Sequence, residues 1–561
     1  MKNAAARNNV YIGLALLFAV ALVLRLWGIW FGLPFSFKAD EYHEVFRALE
    51  LGSGSFNFER TGKGGYFYIL FVEYGVVFVA LKLAGIVDSA QDFARYFARD
   101  PSVFYLVGRA TTAVVGTLNV FLAYRLGVRG YGIGAGVLAA VFLTIDFLNT
   151  EHSHFITVDV PMTCLATAAL LFAVRMVTDG KASDYKWAAL FAALATTTKL
   201  PAILLLVPLL VAHHYVVRRQ DGGARRLFLA RDLWWAAGIF VVVLAVTNPG
   251  LIVNPPWEAI SVGADPEVIE ENDAEVLPAV APNLFVYYLS IIAESMGWPL
   301  LVVSLAGALY ALWKRTPTDV ILISFAAIYY LVFSSTGSNL FFPRYILPLI
   351  IVLALLAGRV LDVVWPRSGS LRQAAAVVFV VILAGFPAYR TVANNYLLTQ
   401  TDTRTLARNW FDENIPQGSR VMIEGLKIEP TKLTVPLQDT PENMRANIEY
   451  YKSREPGKAK YLGFVLQVDI GNTYDLELVK PTELQSLEFY KNKGVEYLVI
   501  RPEAFASSRS MGQAGRDFLE DLQNDRDVSL LKSFRSDPRS RPGPDIDIYE
   551  VARMQRVPPS R

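Results

Sequence analysis

The sequence predicts an α-helical polytopic membrane protein of about 11 spans, followed by a smaller α/β domain. Three observations support this fold class. Of the 561 residues, 53% are hydrophobic and 19% are charged, and the mean hydropathy is +0.34, which is outside the range of ordinary soluble proteins. Apolar stretches of about the 20 residues needed to cross a bilayer recur as far as residue 391. Beyond residue 394 the composition becomes that of a water-soluble domain.

Charge and cysteine content narrow the class further. The net charge of +2 gives no indication of a nucleic-acid partner. Cys164 is the single cysteine, so no disulfide can form within the chain. Lys2 and Arg7 precede a first apolar run that is longer than the core of a signal peptide, about 7 to 15 residues. We interpret this run as an uncleaved anchor whose N-terminus is cytoplasmic.

Eleven apolar segments are candidate membrane spans. They are 9–31, 103–126, 131–150, 156–178, 187–199, 200–217, 233–253, 297–313, 319–336, 345–361 and 373–391. A further run, YFYILFVEYGVVFVALKLAGI at 66–86, is ambiguous because it contains Glu73 and Lys82.

The distribution of Lys and Arg decides how this run is interpreted, because short cytoplasmic loops are enriched in both residues. If 66–86 does not cross the bilayer, every loop assigned to the cytoplasm is basic. These loops contain Arg125, Arg129, Lys181, Lys186, Arg218, Arg219, Arg225, Arg226, Arg231, Lys314, Arg315, Arg367 and Arg372. We therefore predict an interfacial helix at 66–86 within a first external loop, 32–102. The odd number of spans predicts a membrane domain at 1–394 and an extracytoplasmic domain at 395–561.

Two adjacent segments, 187–199 and 200–217, are separated by a break. The first is too short to span the membrane alone, and Pro201 follows Lys199 after one residue, so the helix must end there. Lys199 is then expected to face a protein-lined or wet cavity. The alternative is a short tilted hairpin whose lysine extends to the membrane surface.

The C-terminal region alternates helical and strand patterns. Helices are predicted at 402–414, 484–493 and 513–523, and strands at 419–424 and 496–501. KYLGFVLQ at 460–467 and DIDIYEV at 545–551 are further strand candidates. This alternation is typical of a small α/β domain.

Acidic residues and histidines cluster in two predicted external loops. Asp40, Glu41 and His43 lie in FKADEYHEVFRALELG, and His152, His154 and Asp159 lie in EHSHFITVD. Three of the five histidines in the chain fall in these two loops. Such groups can act as general acids and bases or bind a divalent cation. The alternative is an ordinary solvated loop, and HSH is not a specific metal-binding spacing.

Cations are predicted on the same face. Lys63 lies in the first loop, Arg109 lies about one and a half turns inside the span 103–126, and Arg344 precedes the span 345–361. An ionisable residue near a span suggests a functional site, although Arg109 and Arg344 could instead extend to lipid head groups. Cations beside a carboxylate are what is needed to hold a lipid phosphate and to deprotonate an acceptor.

The DE pair after the first span, HSHFITVDVP, ATTTKLP and FPRYILP together resemble a known group of enzymes. The chain resembles the polyprenyl-phosphate-sugar-dependent glycosyltransferases of the GT-C class. Within it, the chain is most similar to the superfamily of protein O-mannosyltransferases and lipid A aminoarabinose transferases, which is glycosyltransferase family 39-like. The resemblance covers about residues 9–391. TRTLARNWFDENIPQGSRV also resembles the start of the external domain of bacterial members.

The resemblance implies a role for several residues. Asp40 matches the catalytic base, Glu41 its acidic neighbour, and Asp159 an acid that shapes the site. Lys63 matches a cation that contacts the donor phosphate, although KGGY lacks the prolines of the related stretch. Arg344 resembles an arginine near the lipid phosphate. Arg109 and Lys199 are further candidates for the phosphate, and His43, His152 and His154 for orienting the acceptor.

The implied activity is inverting transfer of a sugar from a polyprenyl-phosphate donor to a hydroxyl of a protein, lipid or envelope glycan, at the outer face of a bacterial plasma membrane. No cofactor is expected to be required, and the use of a divalent metal is left open. Two other classes have a similar topology: a secondary transporter and a non-catalytic component of envelope polysaccharide assembly. A transporter site would lie near the bilayer midplane, often between repeated halves, whereas these acids lie at the outer edge.

Overall fold

The computed structural model describes residues 2–52, 64–220, 224–249, 283–335, 342–425, 433–469, 471–479, 483–506 and 511–552. The first part of the chain is helical. Its helices are α1 (Lys2–Leu26), α2 (Ala39–Gly52), α3 (Gly64–Leu83), α4 (Ala90–Arg99), α5 (Ser102–Tyr131), α6 (Ile133–Thr144), α7 (Phe147–His152), α8 (Asp159–Asp179), α9 (Ala182–Thr198), α10 (Leu206–Arg219), α11 (Ala224–Leu229), α12 (Arg231–Thr247), α13 (Leu284–Met296), α14 (Trp298–Lys314), α15 (Pro317–Ser335), α16 (Leu347–Val364) and α17 (Ser370–Leu398). Two 3₁₀ segments, Leu200–Leu205 and Pro343–Ile346, precede α10 and α16.

The centre of this helical domain is formed by α5, α6, α8 and α16, whose apolar residues belong to one continuous core. Small residues allow their backbones to approach closely. A Cβ on Gly358 would lie 2.5 Å from the carbonyl oxygen of Ala135, and one on Gly127 would lie 2.7 Å from the Cα of Gly136. Close packing through small residues is the usual way in which helices associate within a bilayer.

A helix or a pair of helices lies at each predicted span. Among the described residues, seven helices are long and apolar enough to cross a membrane, or eight if the bent pair α13 and α14 forms one span. The prediction of about 11 spans therefore stays a prediction. Helix α3 is one of the seven by length and composition, and its interfacial placement is likewise a prediction.

Two local features differ from the sequence-based prediction. In the predicted external loop 32–102 only the helix at 66–86 was predicted, whereas Ala39–Gly52 forms a further helix, α2. Helix α13, Leu284–Met296, precedes the predicted span 297–313 and meets α14 at a bend of 113°. The predicted break is confirmed: α9 ends at Thr198 and Lys199 has an extended backbone before the 3₁₀ segment that contains Pro201.

The C-terminal region is an α/β domain with a mixed six-stranded sheet. Its elements are α18 (Thr403–Asn414), β1 (Arg420–Glu424), β2 (Gln438–Asp439), α19 (Pro441–Tyr451), α20 (Pro456–Val465), β3 (Thr473–Val479), α21 (Leu487–Asn492), β4 (Tyr497–Ile500), α22 (Pro502–Ala506), α23 (Gly512–Asn524), β5 (Val528–Phe534) and β6 (Ile546–Val551). The strand order is β2-β3-β1-β4-β6-β5. Strands β1 to β4 pair in parallel, and β6 pairs antiparallel with both β4 and β5.

The strand predicted at KYLGFVLQ is wrong, because most of this segment lies in helix α20. Pro456 stands at the first helical position, where proline is tolerated. Ala459, Leu462 and Val465 are buried, and their spacing of three residues places them on one side of a helix, whereas a strand would bury alternate residues. The other predicted strands and helices of the domain are confirmed.

The C-terminal domain packs directly against the first predicted external loop. The Arg95 side chain on α4 donates from Nε to Oε1 of Gln467 at 2.9 Å, and the guanidinium of Arg404 lies 3.8 Å from the ring centroid of Phe37. Phe46 of α2 also meets Tyr461 of α20 with ring centroids 4.7 Å apart. The first loop and the C-terminal domain therefore lie on the same side of the helical domain.

Candidate active site

Four charged residues meet where several elements of the helical domain begin or end. Asp40 lies in the first turn of α2, and Asp159 is the first residue of α8. Lys199 follows the last residue of α9, and Arg344 lies in the 3₁₀ segment before α16. Helix N-termini favour negative charge, so the positions of both aspartates agree with the local backbone. We call these four residues the ionic cluster.

Salt bridges connect the members of the ionic cluster. The Lys199 ammonium donates to Oδ1 of Asp159 at 2.6 Å. Arg344 lies between the two acids, with Nη2 3.1 Å from Oδ2 of Asp40 and Nε 3.6 Å from Oδ2 of Asp159. Two carboxylates and two cations from distant parts of the sequence therefore share one site.

Exposure distinguishes the two carboxylates. The Asp40 side chain is 37% exposed, whereas that of Asp159 is 2% exposed and is paired with both cations. The Lys199 and Arg344 side chains are 16% and 15% exposed. Asp40 is therefore the more accessible of the two carboxylates, and Asp159 is the one enclosed between Lys199 and Arg344.

Aromatic rings support both cations. The Lys199 ammonium lies 4.3 Å from the ring centroid of Tyr345, and the Arg344 guanidinium lies 4.0 Å from that of Phe342. The quadrupole of an aromatic face attracts a cation without neutralising its charge. Lys199 therefore faces protein side chains, as the break in the helix predicted.

His152 lies beside the ionic cluster at the end of α7. Its Nδ1 atom is buried and has no hydrogen-bond partner among the residues that the structure describes. Burial holds the pKa of His152 well below its usual value, and the positive charges of Arg344 and Lys38 act in the same direction, whereas Asp40 acts against them. A neutral imidazole at this position can accept or donate a hydrogen bond to a bound molecule.

The other two histidines lie in different surroundings. His154 is fully buried, and its Nδ1 and Nε2 atoms lie 2.7 Å from the carbonyl oxygen of Thr150 and 3.0 Å from that of Trp27. The prediction that His154 orients the acceptor does not fit this geometry, because both ring nitrogens are occupied by the backbone. His43 follows Asp40 by three residues on α2, which places the two on one helix face.

Glu41 and Arg109 form a second, enclosed ion pair. Both side chains have 0% exposure, and the guanidinium donates from Nε and Nη2 to the two carboxylate oxygens at 2.8 and 2.7 Å. Arg109 Nη1 also donates to the carbonyl oxygens of Ile29 and Phe31. The predicted contact of Arg109 with a donor phosphate, and a catalytic role for Glu41, do not fit, because both groups are buried and already paired.

The remaining contacts of Glu41 show what this pair connects. Its Oε2 atom accepts from the Ser36 hydroxyl at 3.0 Å, and Oε1 accepts from the backbone N–H of Ile156 at 3.0 Å. The pair therefore joins α2 and α5 to the segment that leads into Asp159. We interpret it as the brace that holds the two acidic loops together.

Lys63 lies outside the described residues. Helix α3 begins directly after it, and a Cβ on Gly65 would lie 2.7 Å from Oγ1 of Thr198, the residue before Lys199. Gly65 of KGGY thus allows the start of α3 to approach the end of α9. The prolines of the related stretch are absent from KGGY. A larger residue at position 65 would collide with Thr198, which explains the glycine at that position.

Two further residues of the site were not predicted. Lys38 precedes the acidic pair and lies 5.1 Å above the Phe155 ring, near His152. Tyr345 follows Arg344 and contacts the charge of Lys199. The sequence indicated these two residues only by their position, because Lys38 stands close to Asp40 in KADE and Tyr345 stands next to Arg344 in PRYI. Among the described residues, no group of three or more His, Cys, Asp or Glu side chains is arranged to hold a metal ion.

Comparison with known proteins identifies the fold. A family profile described as dolichyl-phosphate-mannose-protein mannosyltransferase matches residues 105–252. The apo crystal structure of ArnT from Cupriavidus metallidurans has 16% sequence identity and a TM-score of 0.51, and the match covers 96% of this chain and 98% of ArnT. The chain therefore has the GT-C fold, with a multi-pass membrane domain and a small C-terminal sheet domain.

Two further solved structures match with TM-scores below 0.5. The oligosaccharyltransferase of Archaeoglobus fulgidus, crystallised with a tethered acceptor peptide, has 13% identity and a TM-score of 0.49, over 97% of this chain and 74% of that protein. A second ArnT structure, bound to undecaprenyl phosphate, has a TM-score of 0.47 at 16% identity, over 98% of this chain and 99% of ArnT. A search of curated proteins gave no match.

Proposed function

We propose that the chain is an inverting glycosyltransferase that moves a sugar from a polyprenyl-phosphate donor to a hydroxyl acceptor on the extracytoplasmic face of a bacterial cell membrane. The observation that supports this most strongly is the ionic cluster, in which the accessible Asp40 pairs with Arg344 and the buried Asp159 links Arg344 to Lys199. The acceptor class, whether protein, lipid or envelope glycan, is left to experiment.

Asp40 is the general base in this mechanism. As the acceptor hydroxyl approaches the anomeric carbon of the sugar, a carboxylate oxygen of Asp40 takes its proton. The new bond from the acceptor oxygen to the anomeric carbon forms while the bond to the phosphate oxygen breaks on the opposite face. The configuration inverts, and the electron pair leaves with the polyprenyl phosphate.

Lys199 and Arg344 stabilise the leaving group. An inverting glycosidase uses a second acid to protonate the leaving oxygen. A phosphate leaves without that proton if its growing charge is stabilised, and Lys and Arg side chains supply this stabilisation. Asp159 contacts both cations at 2.6 and 3.6 Å, so it aligns them for the same phosphate. His152, which is neutral, is placed to orient the acceptor near Asp40.

Removing either cation is expected to weaken the binding of polyprenyl phosphate. A hydrogen bond to a charged group contributes about 1.5 to 3 kcal/mol, so Lys199→Met and Arg344→Gln should each raise the Kd about 10- to 100-fold. Titration of the purified full chain with polyprenyl phosphate, followed by tryptophan fluorescence, measures this change. Lys199→Arg keeps the charge and should lose less affinity.

Two exposed cations provide matched controls for this titration. Lys452 is 60% exposed and Arg367 is 74% exposed, so Lys452→Met and Arg367→Gln should leave the Kd unchanged. Equal Kd values for all four variants would contradict the assignment of the phosphate to the ionic cluster. A melting temperature near that of the unchanged protein confirms that each variant is folded.

Lys199 and Arg344 supply positive charge that can neutralise a phosphate without a divalent metal, so we propose that transfer requires no metal. Sugar transfer by the purified chain is expected to retain its rate in excess EDTA. A loss of more than about tenfold that added Mg²⁺ or Mn²⁺ restores would contradict this proposal.

A further inference from the structure

An apolar cavity of about 410 Å³ lies where the helical and C-terminal domains meet. Its walls come from α2, α3, α4 and α20, and they include Phe46, Phe71, Phe78, Phe93 and Phe464. This volume is within the range of small-molecule sites, about 300 to 1,000 Å³. Aromatic side chains line much of its surface, so an apolar ligand would bury its own surface on entering.

The cavity is separate from the ionic cluster, and no member of the cluster lines it. On α2, the lining residues Phe46 to Gly52 follow Asp40 by six to twelve positions. At 1.5 Å per residue, they lie about 9 to 18 Å from Asp40 along the helix. One phosphate cannot lie at both places. A lipid with its phosphate at Lys199 and Arg344 and a lipid with its phosphate at the cavity are therefore two different molecules.

The outer face of α3 continues into the cavity. Val72, Val76 and Val79 on this helix are 63%, 65% and 52% exposed. Gly75 and Phe78, each one residue earlier in the helix, line the cavity. On an interfacial helix, which is the placement predicted for α3, exposed apolar residues insert toward the acyl chains of the bilayer. The apolar surface of α3 therefore extends from these valines to residues of the cavity wall.

Two charged residues, Glu50 on α2 and Lys460 on α20, also contribute to the cavity wall. Lys460 on α20 lines the cavity and is exposed. A lysine can pack its methylene groups against apolar side chains while its ammonium remains in the polar layer. Such a position suits the phosphate of a membrane lipid whose chain is buried below it.

We propose that this cavity binds one hydrocarbon chain of a bilayer phospholipid, with the lipid phosphate at Lys460. Helices α2, α3 and α4 belong to the helical domain, and α20 belongs to the C-terminal domain. The bound hydrocarbon chain would therefore contact both domains. This inference is independent of the proposed sugar transfer. It assigns a lipid-binding role to the first-loop helices and to Tyr461 and Phe464 of α20.

Photolabelling in phospholipid vesicles tests the proposal. The probe is phosphatidylglycerol that carries a diazirine on one acyl chain. It is incorporated into the vesicles together with the full-length protein. Labelled peptides are identified by mass spectrometry. We expect label on the segments 46–52, 71–78 and 461–464. Excess unlabelled phosphatidylglycerol should compete, whereas a stoichiometric amount of polyprenyl phosphate should not.

Gly75→Trp is the main variant, because a Cβ at this position meets no atom within 4 Å and the new ring would occupy the cavity. Displacing about two methylene groups should reduce the label on these segments about tenfold. Gly385→Trp is the matched control. Gly385 is an exposed glycine on α17 with equally open surroundings, and its replacement should not change the label.

Lys460→Met should reduce the label about fivefold if the lysine holds a lipid phosphate. The proposal would be overturned if the Gly75→Trp variant has the melting temperature of the unchanged protein and is labelled to the same extent. Competition by polyprenyl phosphate but not by phosphatidylglycerol would also overturn it, because the cavity would then hold the tail of the proposed donor.

Discussion

Replacing Asp40 by Asn is expected to lower the rate of sugar transfer about 100- to 10,000-fold, which is the range that general base catalysis contributes. The amide has nearly the same shape as the carboxylate but cannot take the acceptor proton. Lys199 and Arg344 remain, so the affinity for polyprenyl phosphate should change little. Loss of the rate without loss of the donor lipid distinguishes a base from a residue that binds phosphate.

The assay uses the purified chain in vesicles with membrane lipid and envelope extract from its own cells, which supply donor and acceptor. Consumption of the lipid-linked sugar is followed by mass spectrometry. Asp88→Asn is the control, because Asp88 is an exposed acid of the same predicted external loop outside the ionic cluster. Full activity of Asp40→Asn would contradict its role, and so would an equal loss in Asp88→Asn.

Breaking the buried pair of Glu41 and Arg109 is expected to destabilise the fold by about 3 to 5 kcal/mol, because removal of one partner leaves a buried charge unpaired. Glu41→Leu and Arg109→Met each do this. The double variant removes both charges and should recover part of the loss. Thermal unfolding of the protein in detergent measures the three variants under one condition.

An exposed ion pair is the control for this experiment. Arg445 and Glu442 on α19 are 66% and 77% exposed, and removing that pair should cost about 0 to 1 kcal/mol. If Glu41 is a brace, the folded double variant should still transfer sugar at a measurable rate. If the single variants instead have normal stability and Glu41→Leu transfers no sugar, Glu41 has a catalytic role.

Much of the fold was predictable because two strong patterns act over long segments. Apolar runs of membrane length and the distribution of Lys and Arg can be recognised in the sequence without knowledge of tertiary contacts. The break at Lys199 followed from Pro201, whose ring prevents a continuous helix. In the C-terminal domain, helix α18 and strand β1 followed from local periodicity and the turn residues Pro416 and Gly418.

Errors arose where tertiary contacts override a short pattern. KYLGFVLQ is apolar enough for a strand, but in helix α20 it packs Leu462 against Tyr451 of α19 and Tyr461 against Phe46 of α2. Strand β3, TYDLELV, was not predicted, although its polar and apolar residues alternate as in a half-buried strand; it pairs with β1. The edge strand β2 has only two residues.

Within the site, residue type and predicted face identified Asp40, Asp159, Lys199 and Arg344, which the structure brings together. Without the family resemblance, residue type and spacing do not distinguish the adjacent acids Asp40 and Glu41, because the two differ in the direction of their side chains at the start of α2. One side chain points to the accessible cluster, and the other is enclosed with Arg109. Burial of Arg109 and His154 likewise depends on packing between distant segments.

The most direct test is a mass spectrum of the lipids that co-purify with the Asp40→Asn variant and with a Lys199→Met, Arg344→Gln double variant. Asp40→Asn should retain a polyprenyl-phosphate sugar, because the donor binds but cannot react. The double variant should retain much less of it, because the phosphate has lost both cations. If neither protein carries a polyprenyl-phosphate lipid, or both carry equal amounts, the assignment of a lipid-linked sugar donor to the ionic cluster is wrong.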